Sequence, residues 1–172
     1  MKMQLCVLGA IGAASLASAC SVSVPPTSRA AAVEHRQCAG SEGSQQQDDI
    51  RLLQATTVLG AEPLYSHMHT NTNDEERVSG AKLIIRPPQG VSADRLAALL
   101  QCHSARLLLG QVDRSQLPDD PYWLPQAWVD IDVTPQAGNF VVTLSADSVS
   151  KNLQVLQRAT AFADAHRPAA AP

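Results

Sequence analysis

Aromatic residues are scarce in this sequence: two Trp, two Tyr and two Phe in 172 residues. Lysine is scarcer than its length would suggest, with only Lys2, Lys82 and Lys151. Nowhere do Lys and Arg cluster, which argues against nucleic acid as a partner, because phosphate backbones are held by basic patches. No apolar run approaches the roughly twenty residues a helix needs to span a bilayer; the longest, Leu5 to Leu16, stops well short. Also missing are a Gly-x-Ser-x-Gly elbow, a phosphate loop and a dinucleotide fingerprint, the local arrangements that build nucleophile and nucleotide sites. These absences together point away from an enzyme and away from a resident cofactor.

What is present begins at the N-terminus. One positive charge at Lys2, the apolar run Leu5–Leu16 and the small residues Ala17-Ser18-Ala19 have the layout of a secretion signal covering residues 1–19. Leu16-Ala17-Ser18-Ala19-Cys20 also resembles the bacterial lipobox, in which the cysteine is acylated and becomes the first residue. The bulky aliphatic lies one place further from the cysteine than is usual in that motif. Both patterns cut at the same bond. The expectation is a lipoprotein carrying acyl chains such as palmitate on Cys20, anchored in the outer membrane and facing the periplasm. Ordinary cleavage would instead give a soluble periplasmic or secreted protein. Removing 19 residues leaves 153, with 12 basic against 16 acidic side chains and a net charge of −4. That length builds one modest core.

Export changes the meaning of the cysteines. Cys6 leaves with the signal and Cys20 is committed to the anchor, so Cys38 and Cys102 remain. In an oxidising compartment an isolated pair favours a disulfide. Closing a loop of that length would contribute about 3–5 kcal/mol, mainly by restricting the unfolded chain. Two free thiols, or a thiol ligating a metal, are the alternatives.

Residues 20–48 carry Pro25-Pro26, Ala30-Ala31-Ala32, Gly40, Gly43 and Gln45-Gln46-Gln47, the composition of a flexible tether. A single domain is expected over 49–166 and a flexible tail over 167–172. Ile50–Leu53 suggests a helix behind Asp48-Asp49, Thr56–Leu59 favours a strand, and residues 70–80 read as a solvated loop. Ala81, Leu83 and Ile85 alternate with Lys82, Ile84 and Arg86 as a strand with one buried face. Ser92 can cap a helix whose Leu96, Leu99, Leu100, His103 and Leu107 share one face, ended by Gly110. Val129, Ile131 and Val133, then Phe140, Val142 and Leu144, alternate as two strands joined across Thr134–Asn139. Asp147 or Ser148 caps a last helix with the stripe Val149, Leu153, Leu156, Thr160 and Ala163. The expected fold is α+β: a three-stranded sheet with two helices on one face, β-α-β-β-α of the split β-α-β type, plus an N-terminal extension. It is similar to the small modules of that order that recur in bacterial envelope assemblies. The other sheet face would show Ile84, Val141 and Trp128, to be covered by the segment Ile50–Met68 or by a partner protein.

Candidate chemistry is sparse. Cys102-His103 places a histidine on the core stripe, where it is either a hydrogen-bonded core residue or a metal ligand. Tyr65-Ser66-His67-Met68-His69 carries a His-x-His pair which, on an extended chain, points to one side and suits copper or zinc. His67, His69 and His103 are the candidate metal ligands; solvated loop histidines are the alternative. Asp130 and Asp132 share a strand face behind Asp119-Asp120, which fits a solvated edge better than acid–base work or calcium binding. Tyr122, Trp123 and Trp128 could form a sugar or peptide platform or anchor a loop.

Cys102-His103-Ser104-Ala105-Arg106, after the Leu-rich helix, with Gly80-Ala81 at a strand start and an early Cys38, resembles a group of uncharacterised small proteobacterial envelope lipoproteins. The resemblance spans residues 38–165 and implies an exported location and structural roles for both cysteines. It implies no activity. Function is thus expected to lie in protein contacts made from the envelope, with a periplasmic copper- or zinc-binding protein using His67 and His69 as the alternative.

Overall fold

A computed structural model describes residues 24–38, 44–69, 74–113 and 119–168, with the backbone alone at 44–46, 68, 69 and 74. The secretion signal, Cys20 and the last four residues of the tail lie outside this set. The alternating segments pair into one antiparallel sheet of four strands: β1 Val58–His69, β2 Asp74–Ile85, β3 Val129–Gln136 and β4 Asn139–Ala146, in the spatial order β1-β2-β4-β3. The class is α+β as expected, but the sheet has four strands rather than three. The additional strand comes from residues 58–69, and β2 begins at Asp74 instead of Ala81. The reason is geometric. β4 pairs only with residues 81–85 of β2, so the rest of the β1–β2 hairpin projects past the sheet as a two-stranded ribbon. A ribbon without a buried side has no hydrophobic alternation to betray it.

β2 and β3 are each antiparallel to β4, so they run parallel to one another with β4 between them. Helix α3, Ala93–Leu108, makes the crossover, which is the split arrangement read from the sequence. Ser92 caps α3 by accepting the Arg95 N–H at 3.2 Å. At its other end Gly110, at φ 70°, lets Gln111 and Gly110 donate to the Arg106 and Leu107 carbonyls, a Schellman closure. β3 and β4 join through only Ala137 and Gly138, at φ 50° and 80°. Two left-handed residues match the sheet twist. The turn is thus shorter than Thr134–Asn139, because Pro135 is held inside β3 opposite Phe140.

Helices α3 and α4 (Val149–His166) lie on one sheet face. Leu96, Leu100, Val155, Ala159 and Phe162 close a core with Leu83, Ile85, Val129, Ile131, Val142 and Leu144. α4 is rotated from its expected orientation. Val149 and Leu153 are 46% and 51% exposed, while Asn152, Val155, Ala159, Phe162 and Ala163 are buried. Both stripes have helical spacing. The second wins because it buries Phe162 and because the Asn152 side-chain oxygen accepts the Ala146 N–H at 2.6 Å, tying the helix to the end of β4.

Much of the stretch read as a tether is helical. α1, Pro26–Gln37, packs on the outer side of α3, and α2, Ser44–Gln54, sends Leu53 into the main core. Pro26 occupies the first turn, where its missing N–H is harmless. Ala30 and Val33 form a two-residue apolar stripe against Cys102 and Ala105. That stripe is too short to stand out among polar neighbours. No helix among the described residues is long and apolar enough to cross a membrane.

Candidate functional site

Cys38 and Cys102 form a disulfide, with Cα atoms 5.6 Å apart and 64 positions between them in the chain. It joins the C-terminal end of α1 to the middle of α3. Beside it, Arg106 is buried and donates from Nη2 to the Cys38 carbonyl at 3.3 Å. α1 is thus held by a covalent bond, a charge-assisted hydrogen bond and the Ala30–Val33 contact. This explains why the second half of α3, from Cys102 to Leu107, is buried on every side.

His103 points away from that brace. Its Nε2 lies 2.6 Å from Asp120 Oδ2, and the two side chains are only 6% and 5% exposed. Asp120 Oδ1 accepts the Tyr122 N–H at 2.8 Å. Arg158 of α4 donates to the carbonyls of Asp120 and Trp123, both at 3.1 Å, and its guanidinium lies 5.5 Å from the Trp123 ring centre. Tyr122 sits edge-on to Phe162 at 5.8 Å. Burial, with the Asp120 charge nearby, pushes the Tyr122 hydroxyl far above its ordinary range, so it stays neutral. The 119–128 loop is therefore bolted to both helices. Tyr122 and Trp123 anchor it and form no platform with Trp128; Asp120 serves His103 and does not join Asp130 and Asp132.

Near the brace, Asp49 of α2 shares a small crevice with Ile50, His103, Arg106 and Val112. Desolvation raises its carboxyl above the usual range, opposed by the charges of Arg106 and Arg95.

Among the described residues no helix lies on the opposite face of the sheet, and β1 extends the sheet's edge instead of covering this face. The register sets its rows. Gly60, Ile84, Val141 and Thr134 lie side by side, then Glu62, Lys82, Thr143 and Asp132; beyond them Leu64 faces Gly80, and Ser145 faces Asp130. At the β3–β4 side is a cavity of about 200 Å³ walled by Trp128, Asp130, Asp132, Thr143 and Ser145, with Gln101 of α3 and Ile131 at its rim. The Trp128 indole N–H donates to Asp130 Oδ1 at 2.9 Å. Trp128 itself packs against the α1–α3 cluster, so the brace supports this wall.

Both sheet edges are blunted. Gln101 of α3 reaches the outer side of β3 and donates to the Ile131 carbonyl at 3.0 Å. β1 carries Pro63 and two register irregularities, at Val58/Gly60 and Leu64/Tyr65. Such devices discourage an added strand.

The three candidate histidines do not meet in one place. His67 is on the projecting part of β1, opposite Glu76, with His69 opposite Asp74 in register and its side chain outside the described set. His103 is on α3, which packs against β3 at the far side of the sheet, three strand spacings or about 14 Å away. Among the described residues no group of three His, Cys, Asp or Glu side chains could hold an ion. Gln101, Thr143 and Ser145 carry no sequence signal of their own, and Arg106 stands out only as the end of the Cys102–Arg106 run. Their roles come from strand pairing and from the docking of α1. No protein-family model, curated protein or solved structure matches the chain.

Proposed function

We propose that this chain is an envelope lipoprotein, held by acyl chains on Cys20, that acts without catalysis by docking a partner protein on its open sheet face. The observation that carries this reading is the asymmetry of the sheet. One face is covered by α3 and α4, both edges are obstructed, and the other face sets half-buried Ile84 and Trp128 and the buried Val141 among polar side chains. A two-layer domain normally buries both faces of a sheet or solvates one with polar residues; a mixed face suits reversible protein contact. The Cys38–Cys102 bond supports the compartment, since such bonds persist in oxidising spaces.

The test is made in cells of a bacterial host carrying the chain at native level. Labelled palmitate should enter the wild type and not Cys20→Ser. The membrane-held chain should migrate in native gels with a second protein, in a complex broken by Thr143→Glu on the open face and kept by Gln157→Glu on the exposed side of α4. A complex indifferent to Thr143→Glu, or no complex, would overturn the docking reading; unlabelled wild type would overturn the anchor.

A further inference from the structure

The cavity beside β3 has a chemistry of its own. Its charged walls are the Asp130 and Asp132 carboxylates, beside the Thr143 and Ser145 hydroxyls and the Gln101 side-chain amide, whose nitrogen is taken up by the Ile131 carbonyl; no Lys, Arg or His among the described residues lines it. Asp130 and Asp132 occupy successive outward positions of one strand, about 7 Å apart along it, and neither has an ion-pair partner among the described residues. The one basic residue in their rows, Lys82, lies directly opposite Glu62 and is separated from Asp132 by Thr143. Two uncompensated like charges on a rigid strand repel each other, and a cation placed between them relieves that repulsion.

We propose that this cavity receives one lysine or arginine side chain presented by the docked partner protein, an inference that rests on the open-face reading above. A divalent metal is a poor occupant, because two carboxylates fall short of the charged oxygen shell calcium takes and, among the described residues, no third His, Cys, Asp or Glu joins them. An ammonium or guanidinium group needs spread-out acceptors instead, and a planar guanidinium can bond both carboxylate and hydroxyl oxygens at once. The volume of about 200 Å³ fits a side-chain end and is small for a drug-sized ligand. Trp128 offers an aromatic wall to the cation, and its N–H fixes the Asp130 carboxylate. Obstruction of both edges leaves a partner no route by strand addition, so it must approach this face with its side chains.

The experiment is a titration of the ¹⁵N-labelled full mature chain with acetyl-Gly-Arg-Gly-amide, with the Gln-centred peptide as control. The Arg peptide should shift the amides of Asp130, Asp132, Thr143 and Ser145 and the Trp128 indole N–H saturably. An apparent Kd on the order of 1 mM is expected for so few contacts. Asp130→Asn with Asp132→Asn keeps the shape and should weaken binding by about tenfold, a modest loss because both charge pairs are exposed to solvent. The remaining amide spectrum of the double variant reports that it is folded. No saturable shift, an equal response to the Gln peptide, or undiminished binding by the double variant would overturn the proposal. The two readings fail separately. A native-gel complex that survives the double Asn variant but not Thr143→Glu refutes the cation pocket and keeps face docking. Peptide binding without any complex keeps the pocket and refutes docking.

Discussion

His103 and Asp120 hold each other in a place where neither could sit alone. Their hydrogen bond is buried, and the second Asp120 oxygen takes the Tyr122 N–H. Asp120→Ala would strand the imidazole and that N–H together. Unsatisfied buried groups cost about 1–3 kcal/mol each, so a loss of roughly 2–6 kcal/mol is expected, measurable as a lower urea midpoint at unchanged slope. Asp49 makes the opposite point. Its raised carboxyl means that the folded state binds the proton more tightly than the unfolded chain does. Its contribution is most favourable below the ordinary carboxylate range and is lost as pH rises through the folded value. Asp49→Asn should therefore raise the melting temperature at pH 7, and the gain over wild type should shrink toward zero as pH falls below 4. At this scale the sequence was half legible. The spacing of Leu96, Leu99, Leu100, His103 and Leu107 placed His103 on the buried stripe, but its partner lies in a Pro-rich loop that has no period to follow. Nor could Arg106 be read as a latch, because the carbonyl it meets belongs to a helix hidden in polar sequence.

Between elements, close approach decides more than propensity. Gly80 sits where β2 leaves β1's irregular register and starts to pair with β4, at φ 150°. A Cβ there would run into the Leu144 carbonyl oxygen. Gly80→Ala should destabilise by at least about 2 kcal/mol through backbone strain and overpacking, and its amide spectrum should change at residues 81–85 and 140–144 while α1 and α3 stay put. The segments with one buried face, 81–85, 129–133 and 140–144, were plain from their alternation. The ribbon formed by 64–69 and 74–80 was not, since its few apolar residues, among them Leu64, the exposed Tyr65 and Val78, do not alternate toward one side and its pairing is all that defines it. α4 was legible as a helix and misread in rotation: two stripes of equal period compete there, and the one containing Asn152 is recognisable only once Ala146 is seen to need an acceptor. The α1 helix was missed because Ala30 and Val33 become a stripe only against Cys102 and Ala105.

For the molecule as a whole, the disulfide and the open face are connected. The brace seats α1 on α3, and that cluster backs Trp128, the aromatic wall of the cavity. Reduction should cost about 3–5 kcal/mol of stability by freeing the loop in the unfolded chain. In hydrogen exchange, α1 amides should lose protection first, with β2 and β4 still protected. Equal loss across α1 and the sheet would show that the brace is no separate layer. The central claim, docking through the uncovered sheet face, is tested most directly by placing a photo-crosslinking residue at Thr143 or Thr134 and, separately, at Gln154 or Gln157 on the outer side of α4, in cells. The account predicts one discrete protein adduct from both open-face positions, lost when Asp130 and Asp132 are both changed to Asn, and none from α4. Adducts from α4 alone, or from neither surface, would contradict it.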